Sequence, residues 1–228
     1  MCSARAPAAR TLVFRILILL AAMLELWPGP ARAQQPMPPG QFDYYLLSLS
    51  WSPTWCEHHR ADPASREECA KARGIVVHGL WPQNQAGPWP ASCRPVDPVP
   101  ADLARRESAI MPNAALIEHE WAKHGSCTQY GVADYFAAIE QAFAALHLPE
   151  GWTHPAAAQA TTLAEAKAAL EALNPGLGPS MVSFHCTPQG ELEEVHVCLD
   201  RALHDRPCGA DQTDSCPARI TLPAANSP

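Results

Sequence analysis

Alternating and β-branched apolar positions predict four β-strands along the chain. Tyr44–Trp51 repeats with a period of two, so that one set of side chains faces a core and the other set faces away from it. The β-branched run at residues 75–78 predicts a second strand, which Gly79 ends. Two more segments, at residues 181–186 and Leu192–Leu199, predict strands near the C-terminus.

Apolar stripes with a helical period and capping patterns predict helices between these strands. The predicted helices cover residues 65–74, 102–110, 114–127 and 134–146, and a further helix begins at Thr162 and ends at Asn174. The proline-rich segment 82–100 predicts a long loop. Because strands and helices are mixed without regular βαβ alternation, we expect a single α+β domain, a mainly antiparallel β-sheet flanked by several helices, with long loops.

The N-terminal residues have the pattern of a secretory signal peptide. Three arginines precede an apolar run at residues 16–24, and the small-residue pattern Ala31-Arg32-Ala33 follows. A membrane anchor is the alternative, but the run is about half of the roughly 20 apolar residues that a spanning helix needs. We therefore expect residues 1–33 to be cleaved and the protein to be exported, periplasmic or secreted, without stable membrane association.

The cysteine count supports the same compartment. The sequence has nine cysteines, and cleavage would remove Cys2 and leave an even number. An even number of cysteines in an exported chain predicts four disulfides. A zinc site is the alternative, but the sequence contains no Cys-x2–4-Cys pair.

Two short segments concentrate groups that suit acid–base chemistry. Residues 78–82 read His-Gly-Leu-Trp-Pro, and residues 119–125 read His-Glu-Trp-Ala-Lys-His-Gly on a predicted helix. Helical residues four apart lie one above the other, so His119 stacks on Lys123 and Glu120 stacks on His124. This spacing predicts one polar face on the helix. The predicted polar face consists of His119, Glu120, Lys123 and His124, and Trp121 and Ala122 lie opposite.

Two imidazoles, a carboxylate and an amine suit phosphoryl transfer from an RNA phosphodiester. One imidazole takes the proton of the ribose 2′-hydroxyl, the other protonates the leaving 5′-oxygen, and cations stabilise the charge on the phosphoryl group. The nucleophile is part of the substrate, so we expect neither a metal ion nor another cofactor.

Two other hydrolase sites fit the sequence less well. The zinc protease motif H-E-x-x-H needs histidines four residues apart, and here Lys123 takes that place and His124 comes one residue late. The esterase nucleophile elbow, G-x-S-x-G, does not occur in the sequence.

Residues 78–82 and 119–125 resemble the two active-site segments of the ribonuclease T2 family, whose members are secreted, disulfide-bonded endoribonucleases. Residues 42–47 resemble the first core strand of that family, and residues 183–198 resemble its C-terminal hairpin. The predicted organisation is a signal peptide (1–33), a flexible lead (34–41), a catalytic ribonuclease domain (42–216) and a loose C-terminal tail (217–228).

The resemblance implies an enzyme that cleaves single-stranded RNA, and not DNA, to 2′,3′-cyclic phosphate and then 3′-phosphate ends, without a metal ion. His124 is usually the base and His78 the acid, although the sequence leaves that order open. Trp81 is either a wall of the substrate pocket or part of the core packing. The implied catalytic residues are His78, Glu120, Lys123 and His124, and the implied substrate-binding residues are His119 and Trp81. A catalytically inactive protein that binds RNA or another protein is the alternative, and a monomer is expected.

The resemblance also implies a disulfide pattern. The implied pairs are Cys93–Cys127, Cys186–Cys216 and Cys198–Cys208, which leave Cys56–Cys69 as the fourth.

We expect His185 and His196, on predicted strands, to be hydrogen-bonded parts of the structure. We expect the loop at residues 82–100 and a turn at residues 54–62 to set the base preference.

The charge of the chain bears on its pH dependence. The formal net charge is −7 at pH 7, and loss of the arginine-rich leader makes the remainder more acidic. An acidic protein attracts phosphates weakly at long range. All ten histidines follow residue 33 and become positive in acid. We therefore expect good activity near about pH 5–6 and weak nonspecific RNA binding at neutral pH.

Overall fold

The computed structural model describes residues 37–225. The predicted signal peptide at residues 1–33 and the first part of the predicted lead lie outside this range. Among residues 37–225, no helix is both long enough and apolar enough to cross a lipid bilayer.

The described residues form six β-strands, six α-helices and two short 3-10 turns. The strands are β1 (Tyr44–Trp51), β2 (Ile75–Gln83), β3 (Gln159–Thr162), β4 (Val182–Cys186), β5 (Leu192–Leu199) and β6 (Arg219–Leu222). The helices are α1 (Ser52–His59), α2 (Arg66–Cys69), α3 (Ala101–Glu107), α4 (Ala114–Lys123), α5 (Val132–Ala145) and α6 (Leu163–Leu173). The 3-10 turns are Pro63–Ser65 and Gly125–Cys127.

Four of the strands form one antiparallel sheet in the order β2-β1-β5-β4. The strands β3 and β6 form a separate antiparallel pair. Apolar side chains of the helices and of the larger sheet pack together in one core. The predicted α+β fold with a mainly antiparallel sheet is therefore confirmed.

The two faces of β1 have different surroundings. Leu47 and Leu49 belong to the main core, together with Ile117 of α4 and Ile139 of α5. Removal of these side chains from water stabilises the packing of the helices on the sheet. Side chains alternate along a strand, so Ser50 lies on the opposite face, where the polar residues described below gather.

A β-bulge at His78 distinguishes β2 from the short strand that the sequence predicts. Leu49 pairs with Val77, and Ser48 pairs with Gly79, so that His78 is the extra residue between them. The prediction that the strand ends at Gly79 is wrong, because β1 offers backbone partners along its full length. A bulge bends the strand and redirects the extra side chain, which here belongs to the first motif segment.

Two helical segments also differ from the prediction. The segment 54–62, expected to be a turn, lies largely in α1, whose first turn contains Pro53 and which has no apolar stripe to mark it. The helix expected at residues 65–74 is reduced to the four residues of α2. The hydroxyl of Ser65 accepts the indole N–H of Trp55 at 3.1 Å and makes no capping hydrogen bond.

The expected loose tail contains a strand. β6 pairs with β3, and the side chains of Ile220 and Leu222 are buried, so this alternating pair holds the chain against the core. The described end of the expected flexible lead is also held, because the Gly40 N–H donates to the Cys127 carbonyl at 2.7 Å.

Four disulfides close loops around this framework. They join Cys56 to Cys69, Cys93 to Cys127, Cys186 to Cys216 and Cys198 to Cys208. The last three are the pairs that the resemblance implies, and the first is the pair that these leave as the fourth. The Cys93–Cys127 bond closes 34 residues and ties the loop after β2 to the turn after α4. In the chain-entropy description, closing a loop of this size stabilises the fold by about 3–4 kcal/mol.

Candidate active site

The two motif segments meet because α4 is fixed at both ends. Asn113 caps its start, with the side-chain oxygen accepting the Leu116 N–H at 3.1 Å. The helix ends at Lys123, and its C-cap is His124, whose N–H donates to the Glu120 carbonyl at 2.9 Å. The following turn is held by Cys127 through its disulfide. The predicted helix at residues 114–127 is therefore shorter than expected, and its last residues form a 3-10 turn.

Trp81 lies at the centre of the assembled site. Its indole N–H donates to Glu120 Oε2 at 2.7 Å. Its ring stacks on His124, with 5.2 Å between ring centroids, and meets the His78 ring edge-on at 5.0 Å. Trp81 therefore links the two motif segments directly and is half-buried between two imidazoles.

Glu120 is a buried carboxyl group with one partnered and one unpartnered oxygen. Its Oε2 accepts from Trp81, and its Oε1 lies 3.7 Å from His78 Nε2 without a hydrogen-bond partner among the described residues. Burial raises the pKa of Glu120 to about 7, although His78, the Trp81 hydrogen bond and Lys123 act in the opposite direction. Near neutral pH this group is divided between its protonated and ionised forms.

His78 is held on its Nδ1 side. That nitrogen lies 2.8 Å from Glu194 Oε1 and 3.3 Å from Ser50 Oγ. A carboxylate only accepts hydrogen bonds, so Nδ1 carries a proton and Nε2 is the nitrogen that titrates. Burial lowers the pKa of His78, but the hydrogen bond to Glu194 and the charges of Glu120 and Glu194 outweigh it, so that the pKa is raised above its usual value.

His124 lies in the opposite electrostatic environment. Its side chain is 2% exposed, and neither ring nitrogen has a hydrogen-bond partner among residues 37–225. Burial, followed by the charges of Lys123, His119 and His78, lowers the pKa of His124 to about 2. The site therefore combines an imidazole that favours the charged form with one that favours the neutral form.

The predicted polar face of α4 is divided in the structure. Glu120 and His124 are buried, whereas His119 is exposed and Lys123 is half-buried. Burial, and then the charges of Lys123 and His78, lower the pKa of His119. The expectation that Trp121 and Ala122 share the opposite face is wrong, because Trp121 packs in the core and Ala122 faces solvent.

A family model for the Ribonuclease T2 family matches residues 42–208. The chain belongs to this family. It is 40% identical over 121 residues to a ribonuclease of Aeromonas hydrophila, which covers 53% of this chain and 54% of that one. It is 26% identical over 162 residues to ribonuclease I of Escherichia coli, which covers 54% and 60% of the two chains. The chain spans about half the length of the curated relatives that it matches.

Solved structures share the T2 fold with this chain. Trichomaglin, described as an S-like ribonuclease, aligns with a TM-score of 0.63 and 22% identity over 82% of this chain and 100% of its own. RNase NT, solved in complex with 5′-AMP, aligns with a TM-score of 0.56 and 22% identity over 81% and 99% of the two chains.

Sequence reasoning missed one residue of this candidate site, Glu194 on β5. Its two carboxylate oxygens contact His78 and His196, each at 2.8 Å. The alternation along Leu192–Leu199 places Glu194 and His196 on one face, which is the available signal, but the sequence does not show that β5 lies beside β1. His185 and His196 are hydrogen-bonded within the sheet, and they lie in the row of polar side chains that includes Glu194.

A cavity of about 350 Å³ opens beside this polar row. Ser50 and Glu194, which both contact His78, lie on its wall together with Trp55 and His58 from α1. Part of the expected specificity segment 54–62 therefore lines space next to His78. Among residues 37–225, no group of three or more histidine, cysteine, aspartate or glutamate residues is arranged to hold a metal ion.

Proposed function

We propose that this chain is an endoribonuclease that cleaves single-stranded RNA by acid–base transphosphorylation, without a metal ion. The first products are a 2′,3′-cyclic phosphate end and a free 5′-hydroxyl, and hydrolysis then opens the cycle to a 3′-phosphate. Membership of the Ribonuclease T2 family supports this function. The observation that carries it is the packing of two imidazoles with opposite protonation preferences on Trp81.

His124 is the base of the first step in this proposal. Its lowered pKa keeps the imidazole neutral in the free protein, so that one ring nitrogen is unprotonated and can act as the base for the 2′-hydroxyl proton. A phosphodiester that binds beside the ring brings negative charge, and negative charge raises the pKa of an imidazole. Substrate binding thus makes His124 a stronger base at the moment when the proton is transferred.

His78 is the acid of the first step. Its raised pKa keeps Nε2 protonated, and this nitrogen faces the space beside Glu120 Oε1. As the 2′-oxygen bonds to phosphorus, the bond to the 5′-oxygen breaks and the leaving oxygen takes the proton from His78 Nε2. Hydrolysis of the cyclic phosphate reverses the roles, with His78 removing a proton from water and His124 protonating the 2′-oxygen.

Glu120 and Lys123 stabilise the phosphoryl group between these steps. A protonated Glu120 donates a hydrogen bond from its unpartnered Oε1, and the Lys123 ammonium supplies positive charge where negative charge develops. His119, on the exposed side of α4, contacts a substrate phosphate, and the Trp81 ring forms one wall of the pocket. The proposal also includes export, since the leader at residues 1–33 has the pattern of a signal peptide.

The experiment is an RNA digestion with purified protein in the presence and absence of a metal chelator, with single-stranded DNA as a parallel substrate. His78→Ala and His124→Phe remove the two acid–base groups, and the exposed His154→Ala serves as the matched control. We expect each active-site substitution to lower kcat by about 10²–10⁴-fold, the usual contribution of general acid–base catalysis. The control should cleave RNA at the wild-type rate.

Chelator and DNA distinguish the alternatives. The proposal expects RNA cleavage that chelator does not change, and no cleavage of DNA. Cleavage of DNA, or loss of RNA cleavage in chelator, would overturn the mechanism, and wild-type activity in both histidine variants would overturn the site. RNA binding without any cleavage by the wild type would favour the inactive binding protein.

A further inference from the structure

Glu194 connects His78 to a second histidine. Its Oε1 lies 2.8 Å from His78 Nδ1, and its Oε2 lies 2.8 Å from His196 Nε2. The three side chains come from β2 and β5, which lie on either side of β1 in the sheet. Glu194 pairs with Ser50 in the β1–β5 register, and Ser50 Oγ is the other close contact of His78 Nδ1.

Neighbouring side chains also hold His196, which lies on the far side of Glu194 from His78. The Gln212 side-chain amide lies 3.3 Å from His196 Nδ1. The His185 ring packs on the His196 ring with 4.3 Å between centroids, and Ser183 Oγ lies 3.1 Å from His185 Nε2. His196 is 7% exposed, so the imidazole that contacts Glu194 is enclosed on several sides.

We propose that Glu194 is a positioning residue for RNA cleavage, which holds His78 with its proton on Nδ1 and its Nε2 turned toward the substrate, while His196 holds Glu194. The inference rests on the proposed function, in which His78 Nε2 donates and accepts the transferred proton. It adds a carboxylate that contacts no reacting atom and acts through the imidazole that it holds.

The β-bulge gives this contact its importance. His78 is the extra residue of the bulge, so the regular strand register does not by itself fix the direction of its side chain. Glu194 lies on a strand that is paired on both sides, with β1 and with β4. A carboxylate on a rigid strand therefore supplies the orientation that the bulge leaves open.

Charge supports the same assignment. Glu120 also faces His78, but its oxygen is 3.7 Å from Nε2, against 2.8 Å between Glu194 and Nδ1. The titratable groups that face His78 are His119, Glu120 and His124 at α4, Glu68 on α2 and Glu194 on β5. Those that act on Glu194 are His78, Glu120, His185 and His196. Two hydrogen bonds from histidines lower the pKa of Glu194 despite its burial, so it remains ionised.

The decisive experiment compares Glu194→Gln with Glu150→Gln, an exposed glutamate that does not line the cavity beside His78. The titration of the His78 ring is followed by NMR in substrate-free protein and assigned with the His78→Ala spectrum. We expect His78 to titrate at a lower pH in Glu194→Gln than in the wild type, because a neutral amide stabilises the imidazolium less. In Glu150→Gln, His78 should titrate as it does in the wild type. Unchanged titration of His78 in Glu194→Gln would overturn the inference.

Kinetics supply the second measurement. We expect Glu194→Gln to lower kcat by about 10–100-fold, with a smaller change in KM, and to move the alkaline limb of the kcat profile to lower pH. A kcat and pH profile equal to those of the wild type would refute the inference while leaving the proposed function intact. Failure of the wild type to cleave RNA would refute the proposed function, and the NMR titration would still test how His78 is held.

A second variant keeps the test valid if Glu194→Gln does not fold. Glu194→Asp retains the charge, but its shorter side chain does not span the contacts to His78 and His196 at once. We expect a lower kcat and a His78 titration closer to that of the wild type than in Glu194→Gln. Wild-type kcat in Glu194→Asp would count against a positioning role.

Discussion

Gly79 lies against the carboxyl group of Glu120. A Cβ atom placed at Gly79 would overlap the Glu120 carboxylate, with its Cδ only 2.6 Å away. The close approach of β2 and α4 therefore requires a residue without a side chain between His78 and Trp81. Gly79 lets the first motif segment pack closely against Glu120 of the second segment, and β2 continues past it.

We predict that Gly79→Ala destabilises the fold and lowers activity together. The added methyl group would displace Glu120 from Trp81, and overpacking of this kind costs about 1–3 kcal/mol. Thermal unfolding and kcat measure the two effects. Gly178→Ala is the matched control, because a Cβ there meets nothing within 4 Å among the described residues and the backbone needs no left-handed conformation. Equal behaviour of the two variants would contradict the role assigned to Gly79.

Glu120→Gln should raise stability in mildly alkaline solution while it lowers activity. Folding raises the pKa of the Glu120 carboxyl group to about 7, because the buried site disfavours the charge. The folded protein therefore becomes less stable as pH increases from the unfolded pKa of this group toward about 7. Glutamine keeps the acceptor for Trp81 without the charge. At pH 8 we expect a gain on the order of 1–3 kcal/mol. Denaturant unfolding measures it, with the exposed Glu150→Gln as the control. A lower stability in Glu120→Gln at pH 8 would contradict the burial argument.

The value of kcat/KM should be higher in mildly acidic than in alkaline solution. The raised pKa of His78 preserves the acid form, and Glu120 is protonated below about pH 7, so both groups lose their active form as pH rises. The lowered pKa of His124 keeps the base neutral in acid. We predict a decline above about pH 7 and good activity at about pH 5–6. A maximum above about pH 8 would contradict the assigned protonation states.

The Cys93–Cys127 disulfide should contribute to catalysis as well as to stability. It ends the turn that follows His124, whose carbonyl accepts the Cys127 N–H at 3.0 Å. We expect the double Cys→Ala variant at Cys93 and Cys127 to lose about 3–4 kcal/mol and also to lose kcat. The same change at Cys56 and Cys69, which joins α1 to α2, should lower stability with a smaller effect on kcat. A larger loss of kcat in the latter variant would contradict this distinction.

The sequence could locate the two motif segments because each holds its chemistry within a few consecutive residues. The helical period correctly places Glu120 above His124, and β1, β5 and the capping box of α6 follow from local patterns. The bulge at His78 could not be predicted, because it depends on the register between β1 and β2.

Glu194 could not be predicted for the same reason. It is separated from His78 by 116 positions, and only the order β2-β1-β5 brings the two side chains together. The strand β6 was missed because its four residues give a short alternating signal after a long irregular segment, and its stability comes from pairing with β3. The sequence also could not predict that Glu120 and His124 are buried while His119 is exposed. Tertiary packing, and not the helical period, decides which polar residues of α4 face solvent.

The most direct test of the proposed chemistry is the identity of the products from an RNA dinucleotide, compared with its 2′-deoxy analogue, in the presence of chelator. We predict that the wild-type protein first releases a 2′,3′-cyclic phosphate, which later becomes a 3′-phosphate, and that the 2′-deoxy analogue is not cleaved because it lacks the nucleophile. A 5′-phosphate product, or cleavage of the 2′-deoxy analogue, would contradict acid–base transphosphorylation by His78 and His124.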